Sequence, residues 1–264
     1  MHAYVAGIGI AGPGLDGWTA SMPVLSGRTP FSAAPIHIAV SSLLPAAERR
    51  RASVPVRLAL AVGSEALAQA GFDAARAATV FASSAGDGEN LHQICETLAS
   101  EDRAISPTRF HNSVHNAPAG YWGIATRSHE ASTSLGGYDS SFGAGLLEAA
   151  GQVAASPAPV ALIAYDQPYP EPLHTARPVT ACFGVALVLT DVPSDASVAQ
   201  LDIDFVAGTV QVTHMNDPGL EALRAGVPAA RSLPLLAVLA RQQAGSVVME
   251  CSGGHLTIRV TPCD

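Results

Sequence analysis

Residues 106–150 decide the fold of this chain, and they read SPTRFHNSVHNAPAGYWGIATRSHEASTSLGGYDSSFGAGLLEAA. The stretch opens with Ser106-Pro107, continues through the turn Asn116-Ala-Pro-Ala-Gly120, and then runs through mostly small residues. Asp139 follows, just before the small, alanine-rich run Gly143–Ala150, which predicts a helix. Asp is favoured at a helix start because its carboxylate accepts hydrogen bonds from free N–H groups. Asp139 is therefore expected to cap this helix.

The stretch resembles the central segment of β-ketoacyl synthases. That family has a Ser-Pro dipeptide, an Asn-x-x-Ala-Gly turn, a small-residue strand, a Thr-Ala-Cys elbow and an Ala-rich helix at the same spacing. Here Gly137-Tyr138-Asp139 replaces Thr-Ala-Cys, so Asp139 stands where the nucleophilic cysteine would be. The family's two histidine motifs, His-Gly-Thr-Gly-Thr and Asn-x-His-x-Phe-Gly-Phe-Gly-Gly, do not occur in this sequence, and Gly253-Gly254-His255 does not replace them. The resemblance implies a relative with no catalytic residues.

The resemblance spans residues 1–191, which match the first half of the duplicated ketosynthase core. It is strongest at Glu48–Arg57 with the following helix to Gly71, and at 106–150. The chain is similar to a short family of ketosynthase-like chain-length factors, found in aryl polyene and xanthomonadin-type pigment biosynthesis. The implied fold is α/β: a thiolase-like N-terminal half of a ketosynthase, with a mixed five-stranded sheet flanked by helices. Residues 192–264 are expected to form a small C-terminal α+β addition packed on the same domain.

The resemblance also implies a function without catalysis. In that family the degenerate subunit pairs with an active β-ketoacyl synthase, which elongates the chain on an acyl carrier protein. The segment that corresponds to 108–114 borders the subunit interface and the partner's acyl pocket. Phe110 and Val114 are the candidate residues that stop a growing apolar chain by steric overlap. The candidate residues for the acyl tunnel and the partner interface are Thr108, Arg109, Phe110, His111, Val114 and His115.

Two other functions stay open at this point. The first is an enzyme, either a divergent acyltransferase that uses Cys182 in a second Thr-Ala-Cys tripeptide or a decarboxylase that needs no nucleophile. Cys182 leads into a strand-like run, however, rather than a helix N-terminus that would lower the pKa of its thiol. The second is a carrier-protein-binding module, for which Arg49, Arg50 and Arg51 offer a basic patch. The same three charges also fit a solvated surface cluster.

The motif Gly7-x-Gly9-x-x-Gly12 fits the dinucleotide-binding fingerprint. Pro13 follows at once, and the next acidic residues, Asp16 and Glu48, miss the distance expected for a ribose-binding carboxylate. The motif is better explained as a strand that ends in a turn. We therefore expect no cofactor.

His111 and His115 lie four residues apart and would share one face of a helix. A metal site needs at least a third ligand nearby, and the surrounding sequence offers no motif that supplies one. The neighbouring Asn112 and Asn116 favour a hydrogen-bonded polar cluster that lines a channel. We expect no metal.

The composition excludes several classes of protein. The chain has 264 residues and a formal net charge of −8, which argues against a nucleic-acid partner. All basic residues are arginine. No apolar run approaches the ~20 residues of a membrane span, and the N-terminus lacks the basic segment of a secretion signal, so a cytoplasmic location is expected. The four cysteines show no C-x-x-C pair.

Strand and helix signals alternate along the chain, and continuous apolar runs predict strands that are covered on both faces. The predicted strands are Ala3–Ile10, Pro35–Ser41, Thr79–Ser83, Ala158–Tyr165 and Ala181–Thr190, followed by an exposed or edge strand at Leu201–Val212 and a hairpin of Ser246–Cys251 with His255–Val260. The predicted helices are a short one capped by Asp16, then Val54–Ala70 with Gly71 as its C-cap, Glu89–Leu98, Ser113–Ala125, Ser140–Ala154 and Ser232–Ala244.

Overall fold

The computed structural model describes residues 1–38 and 42–263, and one β-sheet with helices on both faces forms its centre. The strands are β1 (His2–Gly12), β2 (Leu15–Asp16), β3 (Ala78–Ala82), β4 (Ser132–Leu135), β5 (Val160–Asp166), β6 (Phe183–Thr190), β7 (Ala199–Ala207), β8 (Gly245–Cys251) and β9 (Gly254–Pro262). The helices are α1 (Trp18–Leu25), α2 (Ala46–Arg51), α3 (Val54–Ala70), α4 (Gly88–Ala99), α5 (Pro107–His111), α6 (Ala117–Thr126), α7 (Ser141–Ala155), α8 (Leu173–Ala176), α9 (Pro218–Gly226) and α10 (Leu233–Arg241). In the described ranges, no helix is both long and apolar enough to cross a membrane.

The strand order is β4-β3-β5-β6-β1-β7-β9-β8, with β2 folded back on the end of β1. β3 runs parallel to both β4 and β5. The remaining neighbours pair antiparallel. Within residues 1–191 the five main strands therefore form a mixed sheet, so the predicted α/β class and its five-stranded core sheet are confirmed.

Burial on both faces explains the continuous apolar sequences of the central strands. Every residue of β5 and β6 is buried. On one face α3 packs its Leu58, Val62 and Leu67 side chains against the sheet. On the other face α7 contributes Leu146 and α10 contributes Leu236. Because apolar burial contributes ~25 cal/mol per Å², these two layers supply the main stabilisation of the fold.

The glycines of the Gly7-x-Gly9 motif serve helix packing. A Cβ atom at Gly7 would lie 2.0 Å from the carbonyl oxygen of Ala66, and one at Gly9 would lie 2.0 Å from that of Val62. Both carbonyls belong to α3. The sequence therefore needs glycine at these positions so that α3 can lie directly on β1, and the interpretation as a strand and turn agrees with the structure.

The C-terminal segment extends the same sheet. β7 pairs with β1 on one side, through His2–Val5, and with β9 on the other. The predicted hairpin is confirmed as β8 and β9. The prediction that Leu201–Val212 forms an exposed or edge strand is wrong for the first part of β7, which lies between two strands, because β1 extends far enough to pair with it. The end of β7, from Asp204 to Ala207, is exposed.

Several local predictions were wrong. Asp16 lies in β2, and α1 begins after Gly17 with no side-chain cap. The predicted helix Ser113–Ala125 begins only at Ala117, because Pro118 occupies the first turn of α6 and the preceding residues form a separate turn. The predicted strand Pro35–Ser41 is absent over residues 35–38, and its last three residues lie outside the described residues.

A buried carboxylate joins three parts of the fold. Asp166, at the end of β5, accepts hydrogen bonds at Oδ1 from the Ser84 backbone N–H (2.9 Å) and the Ser84 hydroxyl (2.7 Å), in the loop after β3. Its Oδ2 accepts from the backbone N–H of Ala229 (2.8 Å), in the C-terminal segment. Burial raises the pKa of Asp166 to about 6, despite the opposing hydrogen bonds from Ser84.

We predict that the Asp166→Asn substitution removes a pH dependence of stability. The folded chain keeps the Asp166 proton up to about pH 6, whereas the unfolded chain loses it near the usual value of 3.8. Between these values the folded state binds more protons, so the free energy of unfolding falls as pH rises, by roughly 3 kcal/mol for this group. Chemical denaturation of both proteins between pH 4 and 7 should therefore show the wild type losing its advantage over the variant. Parallel curves would contradict this account.

Candidate functional site

Asp139 lies in a sharp turn between β4 and α7. The turn is a 3-10 segment, Tyr138–Ser140, and Tyr138 has a positive φ of 54°, a conformation that non-glycine residues rarely adopt. The prediction that Asp139 caps the helix is wrong. Ser140 occupies the capping position of α7 and makes no side-chain cap, while the Ser141 hydroxyl accepts from the Gly137 N–H at 3.0 Å. The carboxylate of Asp139 points elsewhere.

That carboxylate is held by arginines from distant parts of the chain. Arg177 Nη2 donates to Asp139 Oδ1 at 2.7 Å, and Arg231 Nη2 lies 3.7 Å from Oδ2. The Arg177 guanidinium also stacks on the ring of Tyr138, with 3.5 Å between its carbon and the ring centroid, and donates to the hydroxyl of Tyr169. The position that the sequence resemblance predicts to correspond to the nucleophile thus carries an ion pair packed against aromatic rings.

The ion pair belongs to a longer network that ends in the C-terminal segment. Arg231 also pairs with Glu250 of β8, and Arg224 of α9 lies 3.8 Å from the same carboxylate. Arg224 in turn donates to Glu221 at 2.8 Å, and this hydrogen bond lowers the pKa of Glu221 to about 2. The turn at Asp139 is therefore fixed electrostatically to α9 and β8.

The segment predicted to border the partner lies on α5 and the turn that follows. Phe110 and Val114 project outward, with 68% and 53% of their surface exposed. Buried asparagines anchor this segment from behind. Asn90 of α4 donates to the Arg109 carbonyl at 2.8 Å, and Asn112 donates to the Arg51 carbonyl at 3.0 Å. Two large apolar side chains are thus presented to solvent by a well-anchored segment.

His111 and His115 do not lie on one helix, so the geometry that would place them on one helical face is absent. His111 ends α5 and packs edge-on against the ring of Tyr121, at 6.2 Å between centroids. The His115 ring nitrogen Nε2 lies 3.2 Å from the carbonyl oxygen of Ser83. In the described part of the chain, no three His, Cys, Asp or Glu residues come together as a metal site.

A short edge strand lies beside this segment. β4 pairs with β3 and ends the sheet, so its other edge has no strand partner among the described residues. A cavity of about 490 Å³ opens between β4 and the turn before α6, lined by His115, Asn116, Ala119, Gly120, Ser132 and Ser134. The turn that follows the exposed segment, at His115 and Asn116, therefore lies beside β4.

The predicted basic patch and the predicted interface segment meet in one cleft. Arg50 and Arg51 line a cavity of about 420 Å³ together with Thr108 and Arg109, whereas Arg49 does not. Arg51 pairs with Glu48 at 3.2 Å. No local sequence pattern joins these two groups of residues, and none marks Arg57, which also lines the cleft.

Cys182 has no features of an activated nucleophile. It lies just before β6, half-buried, and burial raises the pKa of its thiol in spite of the opposing charge of Arg57. A nucleophilic thiol needs the opposite shift. This environment weakens the acyltransferase alternative.

Comparison with known proteins identifies relatives of this architecture. Residues 27–251 match the family described as β-ketoacyl synthase, N-terminal domain. No curated protein matches the chain significantly. Among solved structures, a chain from the ketosynthase ApeO in complex with its chain length factor ApeC, from Xenorhabdus doucetiae, shares 25% identity over 99% of both chains, with a TM-score of 0.72.

Two more distant structures share the fold. A chain of the ishigamide ketosynthase/chain length factor matches with 15% identity over 98% of this chain and 99% of that one, at a TM-score of 0.69. A chain of AntDE:AntF, a type II polyketide ketosynthase with its acyl carrier protein, matches with 11% identity over 99% of both, at 0.72. The resemblance and the thiolase-like fold predicted from sequence are confirmed, and the chain belongs to the β-ketoacyl synthase N-terminal domain family.

Proposed function

We propose that this chain is a chain-length factor: a ketosynthase-like subunit that pairs with an active β-ketoacyl synthase and shapes its acyl tunnel. The elongating product is a polyene or polyketide chain carried on an acyl carrier protein. One observation carries the proposal, namely the ion pair between Asp139 and Arg177 where a ketosynthase has its cysteine. The similarity to a chain from a ketosynthase in complex with its chain length factor supports it. The proposal includes a cytoplasmic site of action beside these partners.

The chemistry at Asp139 argues against condensation by this chain alone. Attack on a thioester needs a nucleophile activated by an adjacent base or by a lowered pKa. The bond from Arg177 stabilises the carboxylate and occupies one of its oxygens. Among the described residues, no imidazole forms a hydrogen bond to Asp139. A paired carboxylate of this kind is a weak nucleophile.

The free edge of β4 is the proposed docking element for the ketosynthase. Successive strand residues direct their main-chain groups to opposite sides. The Ala131 carbonyl accepts from the N–H of Thr79 in β3, and the Leu135 carbonyl accepts from the N–H of Ser83, just after β3. The main-chain groups of Ser132 and Ser134 therefore face the free edge. An exposed edge is a template for strand addition by a second chain. The exposed Phe110 and Val114 offer apolar side chains for contact with the same partner.

The same surface suits control of product length. The side chains of Phe110 and Val114 project from the surface and can enter a pocket of the partner. The hydrogen bonds donated by Asn90 and Asn112 hold the segment in one position. A rigid apolar product that reaches these side chains would overlap them sterically. Elongation would stop at a length set by their position.

The carrier-protein-binding alternative keeps one supporting observation. Arg50 and Arg51 lie on the exposed helix α2, with Arg49 beside them. An acidic carrier surface would complement these charges. In the chain-length factor proposal this patch is an accessory docking site for the same carrier protein.

We predict that Ser134→Pro prevents assembly with the ketosynthase. Proline removes the N–H that faces the free edge of β4 but leaves the pairing with β3 intact. Ser134→Ala is the matched control and should assemble normally. Size-exclusion chromatography of the co-expressed subunits measures the outcome, with thermal unfolding to show that both variants fold. A folded Ser134→Pro chain that still forms the complex would exclude β4 as the docking strand.

We predict that Phe110→Ala and Val114→Ala shift the complex toward longer products. Both side chains are exposed in the chain alone, so their removal should change its melting temperature little. Val192→Ala, which truncates another exposed apolar residue outside this segment, is the control and should leave product length unchanged. Mass spectrometry of the carrier-bound products gives the length distribution. An unchanged distribution from an assembled complex would show that neither residue forms the stop.

We predict that Asp139→Ala leaves condensation by the complex largely intact. Asp139 is 45% exposed, so losing its ion pairs should cost only ~0.2–1 kcal/mol of stability. Asp139→Cys should not give the isolated chain condensing activity, because a catalytic base would still be absent. Asp204→Asn, at an exposed carboxylate of β7, serves as a control for stability. Lost turnover in an assembled Asp139→Ala complex would assign this residue a catalytic role.

A further inference from the structure

Asn112 has an unusual environment for a residue of the segment that carries the two candidate stop residues. From Glu101 to Asn116, a range that the structure describes throughout, it is the one buried residue, with 5% of its surface exposed. Helix α5 itself has no buried residue. Phe110 and Val114 lie two positions before and two positions after Asn112, and both project outward. The segment is therefore fixed by hydrogen bonds rather than by apolar burial.

Both ends of the Asn112 amide are hydrogen-bonded. Its Nδ2 donates to the Arg51 carbonyl at 3.0 Å, and its Oδ1 accepts from the Tyr121 hydroxyl at 3.1 Å. A carbonyl oxygen only accepts, so Nδ2 must face Arg51, and the Tyr121 hydroxyl must donate to Oδ1. The two partners therefore define the orientation of the amide. Because Asn112 and Tyr121 are both buried, loss of either one leaves a polar group unpaired.

Both partners of Asn112 are fixed to the centre of the fold. Tyr121 is buried on α6 beside Trp122, which packs so closely on α3 that a Cβ atom at Gly63 would lie 2.7 Å from its Cζ3. Arg51 ends α2, and α3 begins three residues later. Asn112 therefore connects the outward-facing segment to the helix layer that covers the sheet.

Local hydrogen bonds make the stop residue Phe110 move together with Asn112. The Asn112 N–H donates to the Thr108 carbonyl at 3.1 Å. The Ser113 N–H and the Ser113 hydroxyl both donate to the Phe110 carbonyl, at 3.2 Å and 2.8 Å. Residues 108–113 thus form one compact turn, and whatever holds Asn112 also holds Phe110.

A steric stop is only as firm as the contacts that hold it in place. A product that grows past Phe110 must displace the turn, and the free energy of that displacement includes the cost of breaking the hydrogen bonds of Asn112. Loss of one hydrogen bond changes such an equilibrium roughly two- to twelvefold. The fraction of overlong product, meaning product longer than the main one, should therefore depend on these bonds.

We propose that Asn112 is a positioning residue that determines how strictly chain growth stops, because it holds Phe110 and Val114 in place. The bulk of the two apolar side chains sets the length itself, whereas Asn112 sets the fidelity with which that length is kept. Asn90, which donates to the Arg109 carbonyl at 2.8 Å, is a second and separate anchor of the same turn. The proposal rests on the chain-length function proposed for this chain.

Tyr121→Phe tests this role with the smallest change, because it removes only the hydroxyl that donates to Asn112. In a complex reconstituted with the ketosynthase and the carrier protein, mass spectrometry should show the same main product, with the overlong fraction raised roughly two- to twelvefold. Asn112→Leu removes both bonds at similar side-chain size and should raise that fraction further. Tyr165→Phe is the matched control and should leave it unchanged, because the buried Tyr165 hydroxyl has no hydrogen-bond partner among the described residues.

Two further variants separate positioning from a general loss of stability. Tyr121→Phe should add little to the effect of Asn112→Leu, since the hydroxyl then has no amide to bond and the two changes are not independent. Val247→Ala, which truncates a buried residue of β8, should lower the melting temperature without producing overlong product. Overlong product from Val247→Ala as well would overturn the proposal, because reduced stability would then explain the effect.

Phe110→Ala separates this proposal from the chain-length function itself. If Phe110→Ala lengthens the main product but assembled Tyr121→Phe and Asn112→Leu complexes keep the wild-type distribution, the stop exists and Asn112 does not hold it. The proposal is then wrong and the function stands. If Phe110→Ala and Val114→Ala also leave the distribution unchanged, both are wrong. Where Asn112→Leu fails to fold or to assemble, the overlong fraction of Tyr121→Phe decides alone.

Discussion

The structure depends on the burial of one sheet between two helices that lie unusually close to it. α3 approaches β1 so closely that Gly7 and Gly9 leave no room for a Cβ atom. On the other face α7 approaches similarly, since a Cβ at Gly145 would lie 2.8 Å from Leu162 Cδ1 and 2.9 Å from Ala82 Cβ. These contacts fix both helices against strands that are buried on both faces. Because α3 and α7 are fixed against the sheet, the residues at their ends also have fixed positions.

The position of α7 determines where the turn that holds Asp139 lies. α7 begins directly after the turn that holds Asp139, so the turn is fixed by α7 at one end and by β4 at the other. Arg177 and Arg231 neutralise the carboxylate from outside this segment, and the network continues to Glu250 in the C-terminal strands. The turn predicted to correspond to the nucleophile turn of a ketosynthase is therefore held by a network of ion pairs. Phe110 is exposed, and the outer edge of β4 has no strand partner among the described residues.

Features with a local sequence signal were predictable from the sequence. α3 occupies the predicted range, because apolar residues recur at helical spacing and Gly71 ends the helix in a left-handed conformation. The buried strands β5 and β6 were predicted from their apolar runs. The start of α6 was misplaced, since the sequence alone did not show that Pro118 marks a helix start rather than a tolerated interior position. The alternation of Leu201–Val212 predicts an exposed or edge strand, because it does not reveal that β1 pairs with one side of β7.

The parts of the site that depend on distant contacts were not predictable. Asp139 was expected to cap a helix, but Arg177 and Arg231 lie far along the sequence and no local pattern marks them. The cleft that Arg57 lines together with Arg109 likewise exists only in the folded chain. In contrast, Asp139 and residues 108–115 can be singled out as candidates from the sequence, because their spacing matches a known family.

Reconstitution of the elongation reaction from purified subunits tests the central claim most directly. The ketosynthase, this chain and both together would each be incubated with the acyl and malonyl carrier proteins, and mass spectrometry would record the products and any acylated subunit. The account predicts no condensation and no acylation of this chain alone, and products of defined length only when both subunits are present. Condensation by this chain alone, or an identical product distribution from the ketosynthase alone, would contradict it.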